Sequence, residues 1–153
     1  MKEKETYKKL QKKYKLPNLK DLMREFGIKV EDHELLLHHL VERMKDFLFD
    51  KAKTLESIIF VRSSSEPSQL YETKMLENKE RVFELYKDLQ SLGWKGERIK
   101  TLANEEEMAS YIKEVFDVWT KNLKEKFLNV CKTFEEKWKD AKLRESSELM
   151  YHG

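Results

Sequence analysis

Apolar residues recur at every third or fourth position along most of this chain, which is the spacing that places side chains on one face of an α-helix. The strongest run predicts a helix over residues 32–61, with Asp32 as its N-cap. At about 100° per residue, one arc of this helix holds the apolar stripe formed by Leu37, Leu40, Val41, Met44, Leu48, Ala52, Leu55, Ile58 and Ile59.

A second long run of apolar residues predicts a helix over residues 104–141. Asn104 is suited to the N-cap, and Glu107 follows three residues later, as in a capping box. The apolar residues recur with a mean spacing of about 3.7, close to that of a straight α-helix. This helix either runs unbroken or breaks near residues 120–122.

Two shorter helices are predicted near the start of the chain. The first covers residues 2–14 and ends before Pro17, because the residue before a proline disfavours helical geometry. The second has Asn18 as its N-cap and ends at Phe26. Gly27 then supplies the left-handed conformation that often follows a helix.

The middle of the chain is predicted to hold a loop and a turn. Residues 62–68 interrupt the apolar spacing and form the loop. Helical spacing resumes over residues 70–92, with a candidate interruption at Asn78. Residues 93–96 hold two of the four glycines, so they predict a turn.

These patterns predict an all-α fold, a single-domain bundle of five to seven helices in which the two longest pack antiparallel or at a shallow angle. No stretch shows the alternation of a half-buried strand. The basic helix over residues 1–16 is expected at the periphery, and residues 145–153 are expected to fray. The expected core residues are Leu37, Leu40, Met44, Leu48, Leu55, Ile59, Val82, Leu89, Ile112, Trp119 and Val130.

Some apolar residues fall outside the predicted core. Leu35, Phe49 and Phe60 lie about 120–160° from Leu37 around the helix axis. Large apolar groups outside a core are unfavourable unless something covers them. We therefore expect a non-catalytic interaction or assembly protein, with a homodimer as its simplest form. The predicted interface residues are Leu35, Phe49, Phe60, Phe127 and Trp138.

The charge distribution suggests an alternative function. Charged residues make up 39% of the chain, a balance that is also typical of thermophilic proteins, and the net charge is only +2. Residues 1–15, however, hold seven Lys and two Glu, a local net charge of +5. Lysines bind phosphate backbones by displacing counterions. Nucleic-acid binding is therefore the alternative, through Lys8, Lys9, Lys12 and Lys13.

The same N-terminal helix has a simpler interpretation. Tyr7, Leu10 and Tyr14 share its helical spacing and would pack inward. The lysines would then form an ordinary solvated face.

A third candidate function is metal binding on the 32–61 helix. Glu34, His38 and Glu42 are spaced four residues apart along one edge, and oxygen and nitrogen ligands of this kind hold iron, manganese or zinc in helical bundles. The chain lacks the paired Glu-x-x-His motifs of di-iron bundles, and such spacing is common on helix surfaces. A facing helix would have to add ligands from the acidic stripe Glu80, Glu84 and Asp88.

Other motifs of catalysis and targeting are missing from the sequence. There is no Gly-rich phosphate loop and no Ser or Cys paired with a His and an acid. The single Cys131 excludes an internal disulfide and is expected to be buried on a helix. We expect no enzymatic activity and no cofactor. With no leader pattern and no apolar run of about 20 residues, we expect a cytoplasmic protein without a membrane partner.

Overall fold

The structure is a computed structural model that describes residues 2–29, 35–60 and 79–140. These ranges are helical apart from short connections and contain no strand. The all-α prediction is therefore confirmed. The helices are α1 (Lys2–Tyr14), α2 (Leu19–Phe26), α3 (Leu36–Ile59), α4 (Lys79–Leu102), α5 (Glu105–Val118) and α6 (Lys124–Lys139), and a π-helical segment (Trp119–Leu123) joins α5 to α6.

The predicted caps at the start of α2, at its end and at the start of α5 are confirmed. The side chain of Asn18 accepts a hydrogen bond from the backbone N–H of Lys20 at 2.8 Å. The side chain of Asn104 accepts one from the backbone N–H of Glu107 at 3.0 Å. Gly27 adopts φ 60°, the left-handed conformation that terminates α2.

The predicted start of the central helix was wrong. α3 begins at Leu36, and Leu35 occupies the N-cap position without a side-chain capping bond. Asp32 lies outside the described residues. Also outside them lie the predicted loop over 62–68, the predicted interruption at Asn78 and the predicted frayed tail at 145–153.

α3 is the central helix, and its most extensive packing is against α4, with a smaller contact to α5. The two main helices run antiparallel, since Lys45 of α3 meets Glu97 of α4 at one end while Glu56 meets Tyr86 at the other. The sequence predicted packing between the two longest helices, over 32–61 and 104–141, and the contact of α3 with α5 lies within those ranges. Of the predicted core residues all are buried except Val130, which is half-buried against the core.

The predicted turn at residues 93–96 was wrong, because α4 continues as a helix through to Leu102. Gly93 and Gly96 are both buried within it. Gly93 lies against the ring of Phe49 from α3, and Gly96 lies against the ring of Tyr111 from α5. The glycines therefore serve close packing between helices rather than a change of chain direction.

The long C-terminal helical path is continuous over α5, the π-helical segment and α6. The break suggested near residues 120–122 does not occur, but the π-helical segment lies at that place. Trp119 is buried there, and its ring meets Phe47 edge to face at 4.9 Å between centroids. A π turn takes one residue more than an α turn, so it rotates the apolar stripe of α6 relative to that of α5.

The thiol of Cys131 is exposed, which contradicts the predicted burial. α6 has only one buried residue, Phe127, and the stripe that follows it is half-covered at Val130 and Phe134. Cys131 is displaced by about 100° from Val130 around the helix axis. It therefore faces solvent.

None of the helices within the described ranges is long and apolar enough to cross a membrane.

Candidate interaction surfaces

A groove of about 610 Å³ lies between α6 and the first turns of α4, with the end of α3 contributing to it. Its apolar lining is formed by Ile58, Val82, Leu85, Val130 and Phe134. Val82 and Leu85 are buried at its base, whereas the other three are half-buried. We refer to it as the α4–α6 groove.

Burial along α6 decreases after its first turn. Phe127, in its first turn, is 8% exposed and anchors the helix. Lys51 of α3 places its ammonium group 5.4 Å from the centre of the Phe127 ring, and Lys124 pairs with Glu25 of α2 at 3.0 Å. No side chain after Phe127 in α6 is buried within the described residues. Among the described residues, the later part of this apolar stripe, at Val130 and Phe134, is therefore only half-covered.

Charged and polar side chains surround the α4–α6 groove. The α6 side carries neutral Asn129 and Thr133 between two lysines. The α4 side mixes both signs of charge. The charged lining residues are Lys79, Arg81, Lys126 and Lys137, together with Glu80 and Glu84.

The structure separates the five residues predicted to form an interface. Leu35, Phe60 and Trp138 are 61%, 59% and 64% exposed, respectively. Phe49 is half-buried between Gly93 and the ring of Trp94, and Phe127 is in the core. Leu35 and Phe60 lie at opposite ends of α3, about 37 Å apart at 1.5 Å per residue. These five residues do not share one patch.

An exposed aromatic cluster was missed by the sequence analysis. The Phe60 ring meets the Tyr86 ring edge to face at 5.8 Å, and Phe83 stacks on Tyr86 at 6.5 Å. The Tyr86 hydroxyl donates to a carboxylate oxygen of Glu56 at 2.9 Å and accepts from the Gln90 amide at 3.2 Å. Burial and the bond to Glu56 raise the pKa of Tyr86. The signal available in sequence was the 3-residue spacing of Phe83 and Tyr86 on one helix.

The α1 lysines whose side chains are described, Lys8, Lys9, Lys12 and Lys13, are exposed, as both interpretations of that helix require. Three of them, together with Lys15 just after the helix, line a shallow cavity of about 620 Å³. Its described lining includes no carboxylate and consists of Lys8, Lys9, Gln11, Lys12, Lys15 and Leu16. Lys13 points elsewhere, and its ammonium lies 3.7 Å from Glu105. Tyr7 is buried and its hydroxyl donates to the carbonyl of Pro17. The aromatic side of α1 therefore packs inward.

The predicted metal ligands are only partly described. Glu34 lies outside the described residues, while His38 and Glu42 are half-buried on α3. The acidic stripe proposed as a second source of ligands is exposed on α4 and comprises Glu80, Glu84 and Asp88. Within the described ranges, no three His, Cys, Asp or Glu side chains converge on a possible ion position.

Comparisons with protein-family models, curated proteins and solved structures find no match to this chain. The α4–α6 groove, the aromatic cluster and the α1 lysines are therefore the features from which a function is inferred.

Proposed function

We propose that this protein is a non-catalytic helical interaction or assembly protein. The observation that carries the proposal is the α4–α6 groove, whose base is apolar and whose walls are two helices. Grooves of this form bind amphipathic helices, which bury their apolar side chains between the walls. The exposed aromatic side chains Phe60 and Trp138 add apolar surface outside the groove.

The proposal accounts for the cost of leaving apolar surface in water. Burying a large apolar side chain contributes about 1.5–3 kcal/mol, so half-buried Val130 and Phe134 gain free energy when a partner covers them. The walls are also held in place without the partner. Phe127 and the Lys124–Glu25 ion pair fix the start of α6, and α4 is fixed along its length by α3.

Self-association is the simplest form of this function, and it gives the first prediction. In sedimentation equilibrium, we expect the mass to rise from 18.5 kDa toward twice that value as concentration increases. Phe60→Ser and Trp138→Ser should weaken association, because each removes exposed aromatic area. Leu128→Ser is the matched control, since Leu128 is also exposed on α6 but was not predicted at the interface. A strictly monomeric wild type would exclude the homodimer and leave a different protein as the partner.

Nucleic-acid binding through α1 is the second candidate function. It is favoured by one observation: four lysines line a cavity whose described lining residues include no carboxylate. Because the chain carries +2 in total and residues 1–15 carry +5, the remainder has a net charge of −3. Binding would therefore depend on α1.

Charge reversal on α1 gives the second prediction. If α1 binds nucleic acid, replacing Lys8, Lys9 and Lys12 with Glu should reduce affinity for RNA and DNA similarly across sequences. The salt dependence should also flatten, because fewer phosphate contacts release fewer ions. Among single changes, Lys13→Glu should have a smaller effect than Lys12→Glu, because Lys13 lies beside Glu105 and does not line the cavity. Fluorescence anisotropy over a series of salt concentrations measures the affinity and its salt dependence. Wild-type protein that fails to bind even at low salt contradicts this function.

A further inference from the structure

We infer that the π-helical segment Trp119–Leu123 decides which face of α6 packs on the bundle, by holding one residue more than an α-helical turn. It follows that one exposed residue can be deleted from this segment without changing that face. The inference goes beyond the proposed function, because it concerns how the fold orients α6. It is carried by the hydrogen bonding of the segment, the spacing of buried residues on both sides of it, and the aromatic contacts that join them.

The hydrogen bonding locates the extra residue. The backbone N–H of Lys124 donates to the carbonyl of Trp119, which lies five residues earlier. An α-helical hydrogen bond spans four residues, so the wider turn takes up one more. The helical path is continuous from α5 through this segment into α6. The residues of α6 are therefore rotated by about 100° from the positions that an uninterrupted α-helix would give them.

This rotation brings Phe127 into line with the buried residues of α5. Phe127 follows Val115 by twelve residues, and an uninterrupted α-helix would separate the two side chains by about 120° around its axis. With one residue taken up by the π turn, the separation falls to about 20°. Both side chains are buried, as this alignment requires. Without the π turn, Lys126, which is now exposed, would occupy the position of Phe127.

Aromatic contacts show that Phe127 and Trp119 face the same part of α3. Their ring centroids lie 6.2 Å apart. The Trp119 ring meets Phe47 edge to face, and the ammonium of Lys51 lies 5.0 Å from the Phe47 ring and 5.4 Å from the Phe127 ring. An uninterrupted α-helix would turn Phe127 about 80° away from Trp119, whereas the π turn reduces this angle to about 20°.

The position of Phe127 also fixes which residues of α6 line the α4–α6 groove. Val130 and Phe134 follow Phe127 by three and seven residues, so they share its face, and both line the groove. Leu128 and Cys131 form a neighbouring row, rotated by about 100°, and both are exposed. The two rows make the rotation of α6 measurable, because a change of one residue in register exchanges them.

Deletion of Lys121 from the full-length protein is the central experiment. Lys121 is exposed, and its contact to Asp117 at 3.7 Å is a solvated surface pair that contributes little to stability. After deletion, an α-helical turn returns Phe127 to its present position, so the π turn is no longer required. We expect the midpoint of thermal unfolding to shift by less than about 4 °C. Deletion of Asn122, which is also exposed, should have the same small effect.

Insertion of one alanine after Lys121 is the matched control. It lengthens the same segment by one residue, which turns Phe127 out of the core and puts Lys126 in its place. The unfolding midpoint should then fall by roughly 6 °C or more.

Deletion of Asp50 is the second control, because Asp50 is exposed in α3, which is α-helical along its whole length. This deletion rotates Leu55 and Ile59 away from the core that they now fill, and no π turn is available to compensate. We expect a loss as large as that caused by the insertion. Tolerance of a deletion is therefore specific to the π-helical segment.

The reactivity of Cys131 toward a thiol reagent reports the face that α6 presents. Cys131 is the only cysteine of the chain and is exposed, so it should react at the wild-type rate after deletion of Lys121. If the π turn were kept instead, Cys131 would move to the half-buried position of Val130 and react more slowly.

Two substitutions identify the anchoring side chain independently of the thiol. Phe127→Ala should destabilise the wild type and the protein without Lys121 equally, because Phe127 anchors α6 in both. Leu128→Ala should have little effect in either background, since Leu128 is 55% exposed. Under the alternative register, Leu128 would occupy the core position after the deletion and Leu128→Ala would become the destabilising change.

The inference is overturned by any of three results. The first is that deletion of Lys121 and deletion of Asn122 both cost as much stability as deletion of Asp50. The second is that the alanine insertion is tolerated as well as the deletions, which would mean that the register of α6 is not fixed. The third is that Cys131 loses reactivity, or Leu128→Ala becomes destabilising, in the protein without Lys121.

Discussion

Replacing Gly96 with alanine is expected to destabilise the protein by roughly 1–3 kcal/mol, the usual cost of overpacking a core. A Cβ atom at Gly96 would overlap the Tyr111 hydroxyl and lie 2.7 Å from Cζ of the same ring. Tyr111 cannot yield easily, because it is buried and its hydroxyl donates to the carbonyl of Leu92 at 2.7 Å. At an exposed position in a helix, replacing glycine with alanine would stabilise the protein by about 1 kcal/mol. The change in stability expected at Gly96 is therefore opposite in sign to the one that helix propensity alone predicts.

Gly93→Ala is the matched control for this prediction. A Cβ atom there would lie 2.5 Å from the Phe49 ring, but Phe49 is only half-buried and packs against exposed Trp94. Its ring can move outward, so we expect a smaller loss of stability than at Gly96. Urea unfolding measures the loss of stability in each variant. The midpoint of thermal unfolding should fall by roughly 2–4 °C for each kcal/mol lost. A Gly96→Ala protein as stable as wild type would contradict the proposed close packing.

The Lys45–Glu97 ion pair gives the second large expected effect. The Lys45 ammonium, on a residue only 9% exposed, lies 2.8 Å from Glu97, which ties α3 to α4. Glu97→Ala should destabilise the protein more than Lys45→Met does. The first change leaves a buried ammonium without its nearest partner, whereas the second replaces the ammonium with an apolar side chain of similar length. Equal losses in urea unfolding would show that the ion pair is solvated instead.

The same pair gives stability a dependence on pH at both extremes. The hydrogen bond from Lys45 lowers the pKa of Glu97 below its ordinary value of 4.5. The contribution of ionised Glu97 to stability is therefore complete above pH 4.5 and is lost as the pH falls through the folded-state pKa of Glu97. Burial lowers the pKa of Lys45, but its bond to Glu97 and the charges of Asp46 and Glu97 outweigh burial and raise it above 10.5. The contribution of protonated Lys45 to stability is therefore present below pH 10.5 and is lost as the pH rises through the folded-state pKa of Lys45.

A pH series of unfolding experiments measures this dependence. The difference in stability between wild type and Glu97→Gln should be constant near neutral pH and should shrink as the pH falls below 4.5. Glu84→Gln is the control, since Glu84 is exposed on the same helix. A difference that persists unchanged into strong acid would mean that the ionised form of Glu97 is not what stabilises the contact.

The candidate surfaces could be predicted only in part. Val130 was predicted as a core residue and is half-buried, and the exposure of Phe60 and Trp138 agrees with their position outside the expected core. The α4–α6 groove could not be predicted from the sequence, because it is lined by residues of α3, α4 and α6 that are far apart along the chain. The burial of Lys45 had a signal in the sequence, since it lies about 20° from Ala52 around the helix axis.

The sequence by itself determined the helices and several of their ends. Apolar spacing and caps such as Asn18 and Asn104 act over three or four residues, so they are visible in a short stretch of chain. The tertiary structure alone decided that Gly93 and Gly96 lie within a helix, and that residues of α3, α4 and α6 together line the α4–α6 groove. Those outcomes depend on distances between residues far apart in sequence, such as Gly96 and Tyr111, and local patterns carry no information about such distances.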